Sequence, residues 1–394
     1  MTEHLRLIML GAMGGIPFAG MAWEALHYLE GLRRLGHDVF YVEDTNAWPY
    51  DPALDSSSPD CAHALDYIAR VMAWAGLSDR WAYRAAEPDG SIYGLSEADF
   101  QQLFNDADAL INWGGSTILR DEHRRVPVRA FLETDPGGGE ILAAKGDPAA
   151  IALLTAHTHF FSWAENLGTP DCRLPPGLVA YQTTHMPVVL DWFPPTESHS
   201  PRGDNPGWLR FTTVANWYQP GEVEWQGEVY TWSKHNPFLR YIDLPRCLGQ
   251  PVELALGSAD DAAVELLASH GWRVVDAAPF GKDLLPFREY IFDSDGEFTV
   301  AKDVYGRLRT GWFSDRSAYY LAAGKPVITQ DTGIGRFLPT GEGLFTFNTM
   351  DEILDAFERI HSDYAHHSKA ARGIAEEHFR AETVLAKFVE GLKT

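Results

Sequence analysis

The sequence predicts an α/β protein made of two doubly wound domains, and three observations carry that prediction. Short apolar runs, each of a length suited to a buried parallel strand, alternate with helical stretches along both halves of the chain. Between the halves, residues 174–207 shift to Pro, Ser and Thr, as an interdomain connector does. The 394 residues, 45% hydrophobic and 22% charged, suffice for two ordinary globular domains. The expected division is a first domain over 1–185, a linker over 186–206, a second domain over 207–373 and a helix over 374–394.

The formal charge of −23 argues against nucleic acid as the main partner, because phosphate backbones are bound by basic patches. It leaves room for one nucleotide in a local cationic pocket. Cys61, Cys172 and Cys247 are far apart and form no CxxC pair, so neither a disulfide framework nor a zinc site is expected, and a cytoplasmic location fits best. The uncharged run 7–23 is broken by Gly11, Gly14, Gly15, Pro17 and Gly20 and falls short of the ~20 apolar residues a membrane span needs.

Residues 5–10 form a central strand in this reading, followed by a loop over 11–20, a helix over 21–35 and a second strand over 39–42. Glycines between strand and helix permit close approach of a ligand, which makes Gly14 and Gly15 candidate nucleotide contacts. Gly11, Gly14 and Gly15 nevertheless lack the G-x-G-x-x-G spacing of a dinucleotide site. His27 lies within the helix, where a histidine more often packs than reacts.

Residues 44–60 read as a loop and 62–75 as a helix. Strands over 109–113 and 128–132 end in loops, the first at Gly114, Gly115 and Ser116, the second at Glu133, Thr134, Asp135, Pro136 and three glycines. Asp135 is the candidate carboxylate of this half, with three roles open to it: proton acceptor, hydrogen-bond partner of a sugar, or turn aspartate. Glu133 and Asp135 spell an acid-x-acid pattern common at strand ends, and His157 and His159 have no third ligand nearby in sequence, so no metal site is expected. A strand over 160–164 ends at Glu165 and Asn166.

The second half opens with a strand over 208–216 and a helix over 232–241. Trp217, Trp225 and Trp232 are of a type that stacks on sugars and bases, but with 13 tryptophans in the chain packing is the commoner job. Strands over 252–256 and 272–275, with a helix over 260–270 between them, continue the β-α-β alternation. The most informative stretch is 310–333. Ser314 or Asp315 caps a helix over 316–323, Gly324 ends it, and Pro326 opens a strand over 327–329. Arg316, Ser317 and the first helix N–H groups then share one helix mouth, where a phosphate finds donors, dipole and cation together. The strand ends in Gln330, Asp331, Thr332 and Gly333, at the edge where open parallel sheets bind ligands. A strand over 341–347 and helices over 350–360 and 366–393 follow.

Two segments carry a family resemblance. AAGKPVI at 322–328 resembles the donor-binding segment of GT-B glycosyltransferases, and GLRRLGHDVFYVE at 31–43 resembles the turn from first helix to second strand of the same fold. The resemblance implies two Rossmann-like domains facing across a cleft, with a last helix crossing back to the first domain. It implies a metal-independent transferase with a nucleotide-sugar donor and an acceptor still to be identified, and no further cofactor. Arg316, Ser314, Asp315, Ser317 and Lys302 would meet the diphosphate, while Gln330 and Asp331 would meet donor hydroxyls. Many retaining members carry two glutamates whose positions here are Gly311 and Tyr319, and one branch has a catalytic histidine where Gly15 stands. A nucleotide-sugar epimerase and a non-catalytic sugar-nucleotide binder are the alternatives.

Overall fold

The computed structural model describes residues 4–196 and 208–393, so the later part of the expected linker lies outside the described residues. The chain forms two compact units. Unit 1 comprises Met1–Trp163, Pro176–Val189 and Ala381–Thr394, and unit 2 comprises Ala164–Pro175 and Leu190–Arg380. The chain therefore changes unit at four places rather than at one linker.

Unit 1 is built on strands β1 (Arg6–Leu10), β2 (Asp38–Glu43), β3 (Trp81–Arg84), β4 (Ile92–Gly94), β5 (Ala109–Trp113), β6 (Val128–Glu133), β7 (His159–Ser162) and β8 (Gln182–Thr183). They pair in the order β8-β7-β6-β5-β1-β2-β3-β4, parallel throughout except for the β3–β4 edge. β1 and β5 are buried on both faces, which is why they read as unbroken apolar runs. Helix α1 (Ala19–Arg34) carries Arg33 and Arg34 in its last turn, where cations complement the helix dipole, and Gly36 turns the chain at φ +90°.

The C-terminal helix Ala381–Gly391 also belongs to unit 1 and lies along α1. Gly31 makes this possible, since a Cβ there would stand 2.4 Å from Leu385 Cδ1. Phe388 packs its ring on Phe161 at 4.2 Å and on Tyr28 at 6.2 Å, and Arg34 reaches Glu382 at 3.2 Å. Unit 1 thus recruits a helix from the far end of the sequence.

Unit 2 holds β9 (Phe211–Asn216), β10 (Glu222–Trp225), β11 (Glu228–Thr231), β12 (Glu253–Gly257), β13 (Arg273–Asp276), β14 (Gly296–Thr299), β15 (Val327–Gln330) and β16 (Leu344–Phe347). Six of them form a wholly parallel sheet in the order β13-β12-β9-β14-β15-β16. Its core gathers Phe211, Phe238, Trp272, Phe298, Phe347 and Phe357. The expected helix over 232–241 starts late, at His235, because β10 and β11 form an antiparallel hairpin ahead of it. Gln226 and Gly227 turn that hairpin with φ +53° and +80°, the double positive φ of a type I′ turn. Helices α2 (Asp303–Leu308) and α3 (Asp315–Ala322) then flank the carboxyl end of β14.

No helix among the described residues is long and apolar enough to cross a membrane.

Candidate functional site

In unit 2 the chain winds outward from β9 in one direction and from β14 in the other, so the strand order reverses between these two. Ligands of open parallel sheets bind outside the carboxyl ends of the strands at such a reversal. α3 begins there. Arg316 Nε donates to Glu297 Oε1 at 2.6 Å and Nη2 donates to Thr299 Oγ1 at 3.2 Å, which fastens the start of α3 to β14. Neither bond uses Nη1. The lone-pair and charge demand of Glu297, fully buried, explains why the guanidinium is held so tightly.

Ser314 occupies the N-cap position with extended backbone, but its side chain accepts no helix N–H; its hydroxyl instead donates to Asp315 Oδ1 at 3.3 Å. The Asp315 carboxylate takes the N–H of Arg316, and burial raises its pKa against the opposing pull of the Arg316 charge. Asp315 therefore offsets positive charge at the start of α3. Ser317 is fully buried, and its hydroxyl has no hydrogen-bond partner.

A cation that the sequence does not single out joins this group. Lys234 is only 8% exposed, and its pKa is lowered to about 7, first by burial and then by the charge of Arg316, with Lys302 adding to the effect and Glu297 and Asp315 opposing it. Its ammonium forms no ion pair with a carboxylate among the described residues. The β10–β11 hairpin delivers it: Arg307 on α2 reaches Glu228 at 2.5 Å and Asp303 at 3.0 Å, and lies over the Tyr230 ring. Below the hairpin, Ser233 donates to the carbonyl of Trp217. Lys302 stands just before α2, its Nζ 5.3 Å from the centre of the Tyr305 ring. Arg316, Lys302 and Lys234 thus collect at the strand reversal of one sheet.

The segment after β15 is tied into the surrounding loops. Gln330 Oε1 accepts from Ala301 N at 3.3 Å, and Asp331 pairs with Arg309 Nη1 at 3.1 Å while accepting from Gly333 N at 2.8 Å. The Thr332 hydroxyl donates to the carbonyl of Trp312 at 2.8 Å. Gly333 has φ +93°, and a Cβ on it would lie 2.8 Å from Asn166 Nδ2. Gln330, Asp331, Thr332 and Gly333 thus knit loops together. Asn166 is part of the same knot in unit 2, donating to Arg309 O and, through its N–H, to Thr310 O. Trp217 is core, stacked on Phe238.

In unit 1 the Gly14 and Gly15 amides are taken. Glu43, at the end of β2, accepts from Gly14 N at 2.8 Å, from Gly15 N at 2.6 Å and from the Tyr41 hydroxyl at 2.9 Å. The protein's own carboxylate engages both amides of this loop. Burial pushes Glu43 up to about 7 despite these donors. Asp135 lies beside two buried acids: its N–H donates to Glu133 Oε1 at 2.8 Å, and Glu140 accepts from Gly137 N at 2.8 Å. Burial raises the pKa of both Glu133 and Glu140. His27 is a packing residue: Nδ1 accepts from Val189 N, and burial lowers its pKa to about 3.

Asp44, Glu122 and His123 bring three potential metal-ligand atoms within 4.8 Å of one another. Arg84 already stands 2.9 Å from Asp44 and 2.7 Å from Glu122, and Arg120 lies 3.4 Å from Asp44. Two guanidiniums neutralise both carboxylates, an environment that repels a cation.

A Rossmann-type pair of units with a cation cluster at one strand reversal defines the class to which the molecule is compared. No known family profile and no curated sequence matches the chain. Solved structures do. The chain is similar to an alpha-glucosyltransferase in complex with UDP, at TM-score 0.59 and 10% identity over 99% of this chain and all of the other. It is similar to a glycosyltransferase from Rickettsia africae, at TM-score 0.58 and 11% identity over 99% and 98% of the two chains. Anabaena HepE in complex with UDP and glucose gives TM-score 0.57 at 11% identity over 99% and 100%. The fold is GT-B.

Proposed function

We propose that the protein is a glycosyltransferase that takes a sugar from a nucleoside diphosphate donor held on unit 2. The observation that carries this is the convergence of Lys234, Lys302 and Arg316 on the amino end of α3, beside the buried and unpartnered Ser317 hydroxyl. Burying a lysine without a carboxylate partner is costly for the folded protein, and an incoming diphosphate is the kind of anion that offsets it. In transfer the same charges would stabilise the departing diphosphate, a preorganised electrostatic contribution that requires no metal. The UDP or UDP and glucose in the similar structures support this reading of the site. Asp135, with Glu133 and Glu140 beside it, is the candidate for orienting or deprotonating the acceptor from unit 1.

The test is calorimetric titration of UDP, GDP, TDP and ADP into wild type and Lys234→Met. Saturable binding of one nucleoside diphosphate, weakened at least tenfold by the substitution, supports the reading. If no nucleotide binds, or the substitution leaves binding unchanged, the donor site is wrong.

A further inference from the structure

Of the large exposed apolar side chains of unit 1, Ile16, Phe18, Trp48, Leu54 and Ile118 lie on the loops that follow β1, β2 and β5, while Tyr93, Leu142 and Leu178 lie elsewhere. The strand order of its sheet reverses between β1 and β5, so the loops at the carboxyl ends of these strands flank the position where such a sheet takes a ligand. On the β1 loop Ile16 is 43% and Phe18 40% exposed, on the β5 loop Ile118 is 81% exposed, and on the β2 loop Trp48 is 54% exposed. Phe18 stacks on Tyr50 with ring centres 6.0 Å apart, and the Tyr50 N–H donates to the Gly15 carbonyl at 2.9 Å. Phe18 of the β1 loop and Tyr50 of the β2 loop therefore share one aromatic surface, and Trp48, two residues before Tyr50, is exposed beside it in sequence.

The charge around this surface has one sign. Residues 7–32 and 35–69 contain no lysine or arginine, while Asp51, Asp55 and Asp60 lie on the β2 loop beside Trp48 and Tyr50. Arg120, the cation that follows Ile118, is drawn to Asp44 at 3.4 Å and to Glu87 at 3.3 Å. A polyanion needs unpaired cations along its path, and these loops supply none. A cation seated over an aromatic surface and beside carboxylates gains from both.

From this arrangement, and resting on the glycosyltransferase reading, we propose that the acceptor is a small hydroxyl compound with a flat apolar body and a positive charge, and not a nucleic acid. The alpha-glucosyltransferase with a similar fold is solved with DNA bound, so DNA is the comparison ligand that the test includes. Trp48 and Phe18 would cover the apolar body, and Asp51 and Asp55 would favour the charge.

Three phenols of one size and different charge test it: tyramine, 4-ethylphenol and 4-hydroxyphenylacetate, titrated by ligand-observed NMR alongside a 13-nucleotide DNA. Tyramine is expected to bind at least threefold more tightly than 4-ethylphenol and tenfold more tightly than 4-hydroxyphenylacetate, with no DNA binding. Phe18→Ser with Trp48→Ser should weaken all three phenols more than fivefold, and Asp51→Asn with Asp55→Asn should remove only the charge preference. UDP binding, followed in the same samples, should be the same in every variant. Equal binding of the three phenols, preference for the anion, no phenol binding, DNA binding, or indifference to the substitutions each overturns the proposal. Failure of wild type to bind any of UDP, GDP, TDP and ADP is a separate result that overturns the donor reading instead.

Discussion

Arg316 and Glu297 form a buried ion pair, Nε to Oε1 at 2.6 Å, in which the carboxylate is wholly inaccessible and the arginine side chain 11% exposed. The pair divides the labour at the candidate donor site: Arg316 Nε holds Glu297 Oε1 and leaves Nη1 unused, while Lys234 contributes a charge that pairs with no carboxylate among the described residues. The cation most tempting from the sequence is thus also a structural one.

Arg316→Ala should therefore destabilise the protein by about 3–5 kcal/mol, because it strands a buried carboxylate. Urea unfolding measures this. A variant within 1 kcal/mol of wild type by this ~1 kcal/mol criterion contradicts the buried-pair account, and any loss of nucleotide binding in a destabilised Arg316→Ala reports folding as well as contact.

Lys234→Met should separate the two effects. Removing a charge-assisted bond to a phosphate costs about 1.5–3 kcal/mol of nucleotide affinity, roughly ten- to a hundredfold. Unliganded stability should not fall. Because the folded pKa of about 7 lies below the ordinary 10.5, the unfolded chain holds more protons between these values, and wild-type stability rises with pH across that window. Lys234→Met should flatten the rise, as urea midpoints at pH 7 and 9 will show.

The same group should make donor binding pH-dependent. A diphosphate draws the proton back onto Lys234, so binding above pH 7 takes up protons and affinity falls as pH increases. Calorimetry in two buffers of different ionisation heat measures the uptake; no uptake at pH 8 means that the ammonium does not meet the phosphates.

Glu43 carries the opposite dependence. Its pKa is raised from 4.5 to about 7, so the folded state holds more protons between these values, and its contribution is full below pH 4.5 and lost as pH rises through about 7. The span converts to about 3 kcal/mol. Glu43→Gln should lack this slope in thermal melts recorded from pH 4.5 to 8; an unchanged slope would assign it to other groups.

Gly311, the first of the two positions where the resemblance implies a glutamate, leaves no room for one. Its φ is +74°, and a Cβ would stand 2.4 Å from the backbone nitrogen of Asn166. Gly311→Glu should destabilise by about 2 kcal/mol or more through backbone strain and collision, and should confer no gain in transfer. A folded, fully stable Gly311→Glu would mean that the 164–175 segment yields.

The parallel sheets were legible because their strands are buried on both faces and read as apolar runs; 109–113 is the strand at Ala109–Trp113. The helix at 315–322 was legible from Ser314, Gly324 and Pro326, which punctuate it. Lys234 was not. Its burial is set by a hairpin folded between strand and helix, whose only local signal is Gln226-Gly227, and by charges that come from 297, 302 and 315–316. The Glu43 contact of Gly14 and Gly15 was illegible for a related reason: a glycine loop after a strand looks alike whether its amides are open or, as here, a carboxylate 28 residues away in sequence accepts from them. The loop at Gln330–Gly333 was read from its place at a sheet edge, and its commitment to Arg309 and Asn166 depends on residues that only tertiary structure brings near.

The helix at Ala381–Gly391 belongs to the unit that the first residues begin. During synthesis, the apolar seam formed by Tyr28, Gly31 and Phe161 has to wait for Leu385 and Phe388, which leave the ribosome more than 200 residues later. Domains of most multidomain chains mature in order of synthesis. Here the first unit reaches its final packing only after the second has been made, and a nascent chain arrested before residue 381 exposes that seam to chaperones or to other nascent chains.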